Sequence, residues 1–123
     1  MKTSELTGAA LDWAVAKCEK HDVFTRPIAN AQHKFWVGII THDYQMSREG
    51  PFTPSTDWSQ GGPIIEREWI DLHCVNDSLC EAECPANGGL TMQNGPTPLI
   101  AAMRCYVASK IGDDVEVPEE LKS

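Results

Sequence analysis

Apolar and polar residues recur along this chain with two different periods, and the periods mark out its elements. Leu6, Ala10, Trp13, Ala14 and Lys17 follow helical spacing, with Asp12 and Glu19 on the opposite side, which predicts a helix from about Thr7 to Glu19. Thr3, Ser4 and Thr7 offer N-cap chemistry, the Ala-rich middle allows close packing, and Trp13 reads as a core anchor. Residues 22–34, with Pro27 and Asn30, show little periodicity and read as a loop or a short extended piece. Phe35-Trp36-Val37-Gly38-Ile39-Ile40 is the strongest strand signal, rich in aromatic and β-branched residues. Residues 41–54 read as a loop punctuated by Gly50-Pro51 and Pro54. A short helix is predicted from Pro63 to Ile70 with proline in its first turn, overlapping a strand over 69–75, so that boundary stays open. Residues 76–95 read as a long polar connection holding one short strand around 90–92.

The clearest helix runs from about Pro98 to Ile111. Thr97 is a good N-cap, Pro98 suits the first helical position, Gly112 suits a left-handed C-terminal position, and Lys110 lies near the negative end of the dipole. Leu99, Ile100, Ala102, Met103, Tyr106, Val107, Ala108 and Ile111 leave it almost no polar face. A helix apolar all round is either central and covered, or an oligomer interface, and a homo-oligomer is expected on the second reading. Arg104 lies among these residues and needs a partner there. It could snorkel, pair with an acid such as Glu66, or anchor a ligand's phosphate or carboxylate. The expected architecture is a single compact α+β domain over residues 1–123. A small antiparallel sheet packs against two principal helices, and residues 113–123 form an acidic C-terminal tail broken by Pro118.

Composition narrows the function classes. A net charge of -8, with the ten basic residues scattered, disfavours a protein that tracks duplex nucleic acid. No apolar run reaches the ~18 residues of a membrane span, and the N-terminal residues lack the apolar region of a signal peptide, so a cytoplasmic protein is expected. On that reading the five cysteines are reduced, with Cys18 and Cys105 in helices and Cys74, Cys80 and Cys84 as loop thiols. His73, Cys74, Cys80 and Cys84 include a C-x3-C pair within zinc spacing, but no second well-spaced pair exists, and no metal or other cofactor is expected. Catalytic signatures are missing too: there is no nucleophile elbow, no H-E-x-x-H and no phosphate-binding P-loop. His42-Asp43 is the nearest thing to an acid–base pair, and adjacent polar loop residues are commonplace. A non-enzyme is expected.

Two ornate segments carry the candidate chemistry. In the first, Thr56 and Asp57 can bind nearby amides and start a turn, and Trp58 offers a flat stacking face and one N–H donor. Gln60 both donates and accepts, and Gly61 and Gly62 let a backbone approach closely. In the second, Asn94, Gly95 and Thr97 lead into the last helix, whose N-terminus favours an anion, with Arg104 further along. If the segments meet, one takes a planar base and the other, with Arg104, a phosphate. If they do not, Asp57 and Thr97 are helix caps in two well-built turns.

Three long stretches, LTGAALDWAVAKCEK, PSTDWSQGGPIIERE and GPTPLIAAMRCYVASKIGDDVEVPEEL, resemble the NinX-like family of small proteins of lambdoid phages and prophages. The resemblance covers the N-terminal helix, the central loop and the C-terminal third, and the residues between Asp71 and Gln93 fall outside it. It implies a phage accessory protein acting in the host cytoplasm, and it assigns no reaction. The first expectation is therefore a non-catalytic binder of a small nucleotide-like ligand, one that sequesters a host immune signal as an anti-defence sponge. The alternative is an interaction module that inhibits or redirects a host enzyme through its acidic surface. A zinc-stabilised adaptor is a third, weaker reading.

Overall fold

The computed structural model describes residues 1–29, 34–42 and 47–122. Asn30 and Asp43, named above, lie outside them. The elements in order are α1 (Gly8–Cys18), β1 (Asp22–Pro27), β2 (Phe35–His42), β3 (Ser47–Pro51), α2 (Trp58–Arg67), β4 (Asp71–Asn76), β5 (Leu79–Ala86), β6 (Gly89–Gly95) and α3 (Pro98–Lys110). The strands form two three-stranded antiparallel meanders, β1-β2-β3 and β4-β5-β6. The α+β class matches the expectation, with one sheet and one helix more than it foresaw.

α3 is the centre of the molecule. Leu99 and every residue from Ala101 to Val107 are buried on it. β5 and β6 cover one side, while α1, α2 and the 3-10 turn Thr3–Glu5 cover others. Its apolar circumference is thus used within one chain, and it no longer argues for self-association. The cap signals hold: Thr97 Oγ1 accepts from the Ile100 amide at 3.1 Å, and Gly112 has a φ of +109°.

The largest departure from expectation is the hairpin pair in residues 71–95. β5 alternates strictly, with Cys80, Ala82 and Cys84 buried against α3 and Glu81 and Glu83 facing outward. Because the inward residues are small, the period-two pattern carries little hydrophobic weight and reads as a polar loop. Local chemistry closes both turns. The Asn76 side chain accepts from the Ser78 amide and hydroxyl, and Gly88 supplies a φ of +83°. Folding the hairpin sets Cys74 directly opposite Cys80, and the two form a disulfide, which corrects the expectation of free loop thiols there. Cys18, Cys84 and Cys105 are thiols. Residues 41–54 are likewise not all loop, since β3 pairs with β2.

α2 begins five residues before Pro63, at Trp58, so the proline lies inside the helix rather than in its first turn. Asp57 explains the early start: it caps the helix by accepting from the Ser59 amide at 2.9 Å. Gly62, without a Cβ, relieves the crowding that a proline imposes on the residue before it.

α1 also differs from its predicted face. Asp12 points inward, 4% exposed, and its Oδ1 accepts from the Ser55 amide at 2.9 Å. Burial pushes its carboxyl up to about 6, against the lowering effect of the Ser55 amide bond and the nearby Ser55 hydroxyl. A raised pKa favours the neutral form of the folded protein, so the associated stability is present at pH 4 and is lost as pH rises through about 6. Asp12→Asn keeps an acceptor for Ser55 and removes the titration. It is expected to gain roughly 2–3 kcal/mol on the parent between pH 4 and 7, measured by urea unfolding at each pH. An equal difference at both ends of that range would contradict the assignment.

At the other end of α1, three elements are tied together. Glu19 accepts from both terminal nitrogens of Arg67, at 3.0 and 2.6 Å, and from the Tyr106 hydroxyl. Burial alone would raise the Glu19 carboxyl, but these bonds and the Arg67 charge hold it below its ordinary value. Glu68 then bridges Arg67 and Lys110.

Candidate site between the Trp58 loop and the α3 N-terminus

The first ornate segment is built largely from its own hydrogen bonds. Besides capping α2, Asp57 accepts from the Ser59 hydroxyl at 2.7 Å and from Gln60 Nε2 at 3.1 Å. Bonds from Ser59, chiefly, hold its carboxyl below the ordinary range. The Gln60 carbonyl oxygen accepts from the Thr53 amide at 2.8 Å. Asp57 and Gln60 therefore serve the loop before they serve a ligand. Gly61 is required by close approach, since a Cβ there would lie 2.6 Å from both the Pro54 carbonyl oxygen and Leu99 Cδ2. Gly62 meets nothing nearer than Trp58 Cε3 at 4.0 Å.

The second segment is equally committed. A Cβ on Gly95 would lie 2.7 Å from the Ala101 amide nitrogen, so glycine lets the end of β6 press onto α3. Thr97 caps α3. The Asn94 backbone carbonyl accepts from Arg104 Nη1 at 2.8 Å, and the Leu6 carbonyl accepts from Arg104 Nε at 2.8 Å. Arg104 is 9% exposed, and burial lowers its pKa. Its partners are two main-chain carbonyls, not Glu66 and not an open pocket. Sequence reasoning foresaw the need for a partner but had no means of seeing a carbonyl as one.

The two segments do meet. A groove of about 260 Å³ runs between them, lined by Ser55, Thr56 and Trp58 on one side and by Thr97 to Ile100 on the other. Asp57, Gln60, Gly61, Gly62, Asn94, Gly95 and Arg104 support its walls without lining it. Trp58 is 54% exposed, so its ring face is available at the rim. At the helix end Pro98 has no amide hydrogen, Thr97 takes the Ile100 amide and its carbonyl takes the Ala101 amide. That leaves Leu99 N–H as the orphan donor of the first turn among the described residues.

Ser55 was missed in the sequence. It is 1% exposed and lines the groove, and its hydroxyl lies beside the Asp12 carboxylate, whose pKa it lowers, without making a well-formed hydrogen bond among the described residues. A buried hydroxyl without a well-formed bond is costly, and a polar group entering the groove would satisfy it. No residue of 71–93 lines the groove, so the disulfide-bearing hairpin is not a lid over it.

No group of three or more potential metal ligands is present among the described residues. The zinc reading loses Cys74 and Cys80 to their disulfide, while Cys84 is buried against Cys105. No described helix is long and apolar enough to cross a membrane. No curated protein matches this chain. A family model described as Bacteriophage P22, NinX, matches residues 2–110, nearly the whole described fold, and with that match the chain belongs to the phage NinX family.

Proposed function

We propose that this protein is a non-catalytic binder of a small nucleotide-like ligand, seated in the groove between Trp58 and the N-terminus of α3. The supporting observation is that two chain segments far apart in sequence line one groove whose rim carries an exposed indole and whose wall carries the buried Ser55 hydroxyl, which makes no well-formed hydrogen bond among the described residues. The base stacks on Trp58, a polar edge reaches Ser55, and an anionic group lies at the Leu99 amide, where the helix dipole favours it. Arg104 takes no part in this arrangement. For a phage protein, such binding sequesters a nucleotide signal of the host's defence.

The experiment is a thermal-shift screen of the purified chain against mononucleotides and cyclic oligonucleotides. A ligand at a hundred times its Kd is expected to stabilise the fold by about 2.7 kcal/mol, raising Tm by roughly 10 °C. Trp58→Ala and Ser55→Ala are each expected to weaken binding tenfold or more, a stacked base contributing about 1–3 kcal/mol. The proposal fails if no nucleotide shifts Tm, or if both variants respond as the parent does.

A further inference from the structure

We infer that the outer face of the β4-β5-β6 sheet is a docking surface for a cationic, partly apolar segment of another protein. It shares no residue with the Trp58 groove and does not depend on the reading of that groove. α3 covers the inner face of this sheet, against Cys80, Ala82 and Cys84. By the pleat, Glu81 and Glu83 project from the other face. The register places Asp71 directly opposite Glu83 on one side and Met92 opposite it on the other. Glu81 is flanked in the same way by His73 and Asn94.

Two properties of this face need explanation. Like charges directly opposite each other weaken a sheet, yet Asp71 and Glu83 hold that relation. Neither they nor Glu81 pairs with a cation among the described residues, although the chain pairs Glu19, Glu49, Glu68 and Glu119 elsewhere. Large apolar side chains also lie beside the acids rather than apart from them, with Met92 59% and Leu90 64% exposed. Between the acids and Met92 is a hollow of about 150 Å³, floored by Leu72 and Ala82.

Charge selects the occupant. A second copy would bring the same three carboxylates to the interface, and nucleic acid or an anionic membrane would be repelled likewise. A protein segment alternating Lys or Arg with apolar residues supplies what the face lacks. Its cation enters the hollow between Asp71, Glu81 and Glu83, and its apolar side chains cover Met92 and Leu90. The cost of the opposed carboxylates is then a feature of the free protein that the partner relieves.

The test is an amide NMR titration of the full chain with a synthetic peptide of alternating lysine and leucine, with a glutamate–leucine peptide as control. The lysine peptide is expected to perturb β4, β5 and β6, leaving the Trp58 groove unmoved. The double variant Glu81→Gln/Glu83→Gln is expected to bind roughly tenfold more weakly, as two partly exposed pairs are lost. It is also expected to melt no lower than the parent, because the acids repel one another rather than hold the sheet. The inference is overturned by perturbations elsewhere, by equal binding of the glutamate peptide, by full affinity in the double variant, by a lower melting point of that variant, or by no binding at millimolar peptide.

Discussion

Arg104→Ala is expected to cost about 3–5 kcal/mol of folding stability, because it leaves the Leu6 and Asn94 carbonyls without their donor and opens space beside α3. Against a total of about 5–15 kcal/mol, such a loss removes much of the margin. The carbonyls belong to the segment before α1 and to the end of β6, which are far apart in sequence and are held together here by one guanidinium. Arg104→Lys is expected to recover little, since a single ammonium does not offer the two donors in fixed geometry that span both carbonyls. Arg104→Met should restore volume but not the bonds, and so fall between. Urea unfolding of the three variants gives the order directly. Where Arg104→Ala remains folded, its ligand affinity should equal the parent's, because Arg104 does not line the groove. A variant of parental stability that has lost ligand would reverse the role given to this residue.

The second large effect falls at Gly61. Alanine there places a methyl 2.6 Å from the Pro54 carbonyl oxygen and from Leu99 Cδ2. Leu99 can turn aside, but Pro54 cannot easily move. The neighbouring Thr53 amide is bound to Gln60, and the Ser55 amide to the buried Asp12. The start of α2 must therefore shift relative to the loop or to α3, at an expected cost of about 2–3 kcal/mol, or roughly 10 °C in Tm. Because those two parts form the walls of the groove, Gly61→Ala should weaken ligand binding as well as stability. Parental stability in this variant would mean that the three parts do not approach as closely as described.

What could be read in the sequence divides along physical lines. The boundaries of α3 were legible because Thr97, Pro98 and Gly112 act locally, through caps and a backbone preference that the surrounding fold does not override. The start of α2 was misread although its signal was present. Pro63 suggested a first turn, whereas the Asp57 cap decided the matter six residues earlier. β5 was illegible because its buried side chains are cysteine and alanine, which give alternation without hydrophobic contrast. Asp12 was assigned to solvent because its charge outweighed its position, and only the tertiary bond to Ser55 reverses that. For the site, both segments were found, but their meeting depends on the contact of Gly61 with Leu99 and Pro54, which spacing does not encode. Ser55 had no signal of its own: a serine beside a proline reads as a turn, and its burial comes from the helix beneath it.

The place of α3 in the chain has a consequence for biosynthesis. The helix around which both the disulfide-bearing sheet and α1 assemble is translated after both of them. Until it emerges, the inner face of β4-β5-β6 lacks its cover and α1 has only β1 and β2 to close on, so the native contacts that join the two halves of the chain must wait for it. A ribosome paused before Pro98 therefore carries two sheets and two helices that lack the helix that joins them. Protease resistance is therefore expected to arise in a late step, once residues 98–110 are available, and limited proteolysis of nascent chains of increasing length would check it.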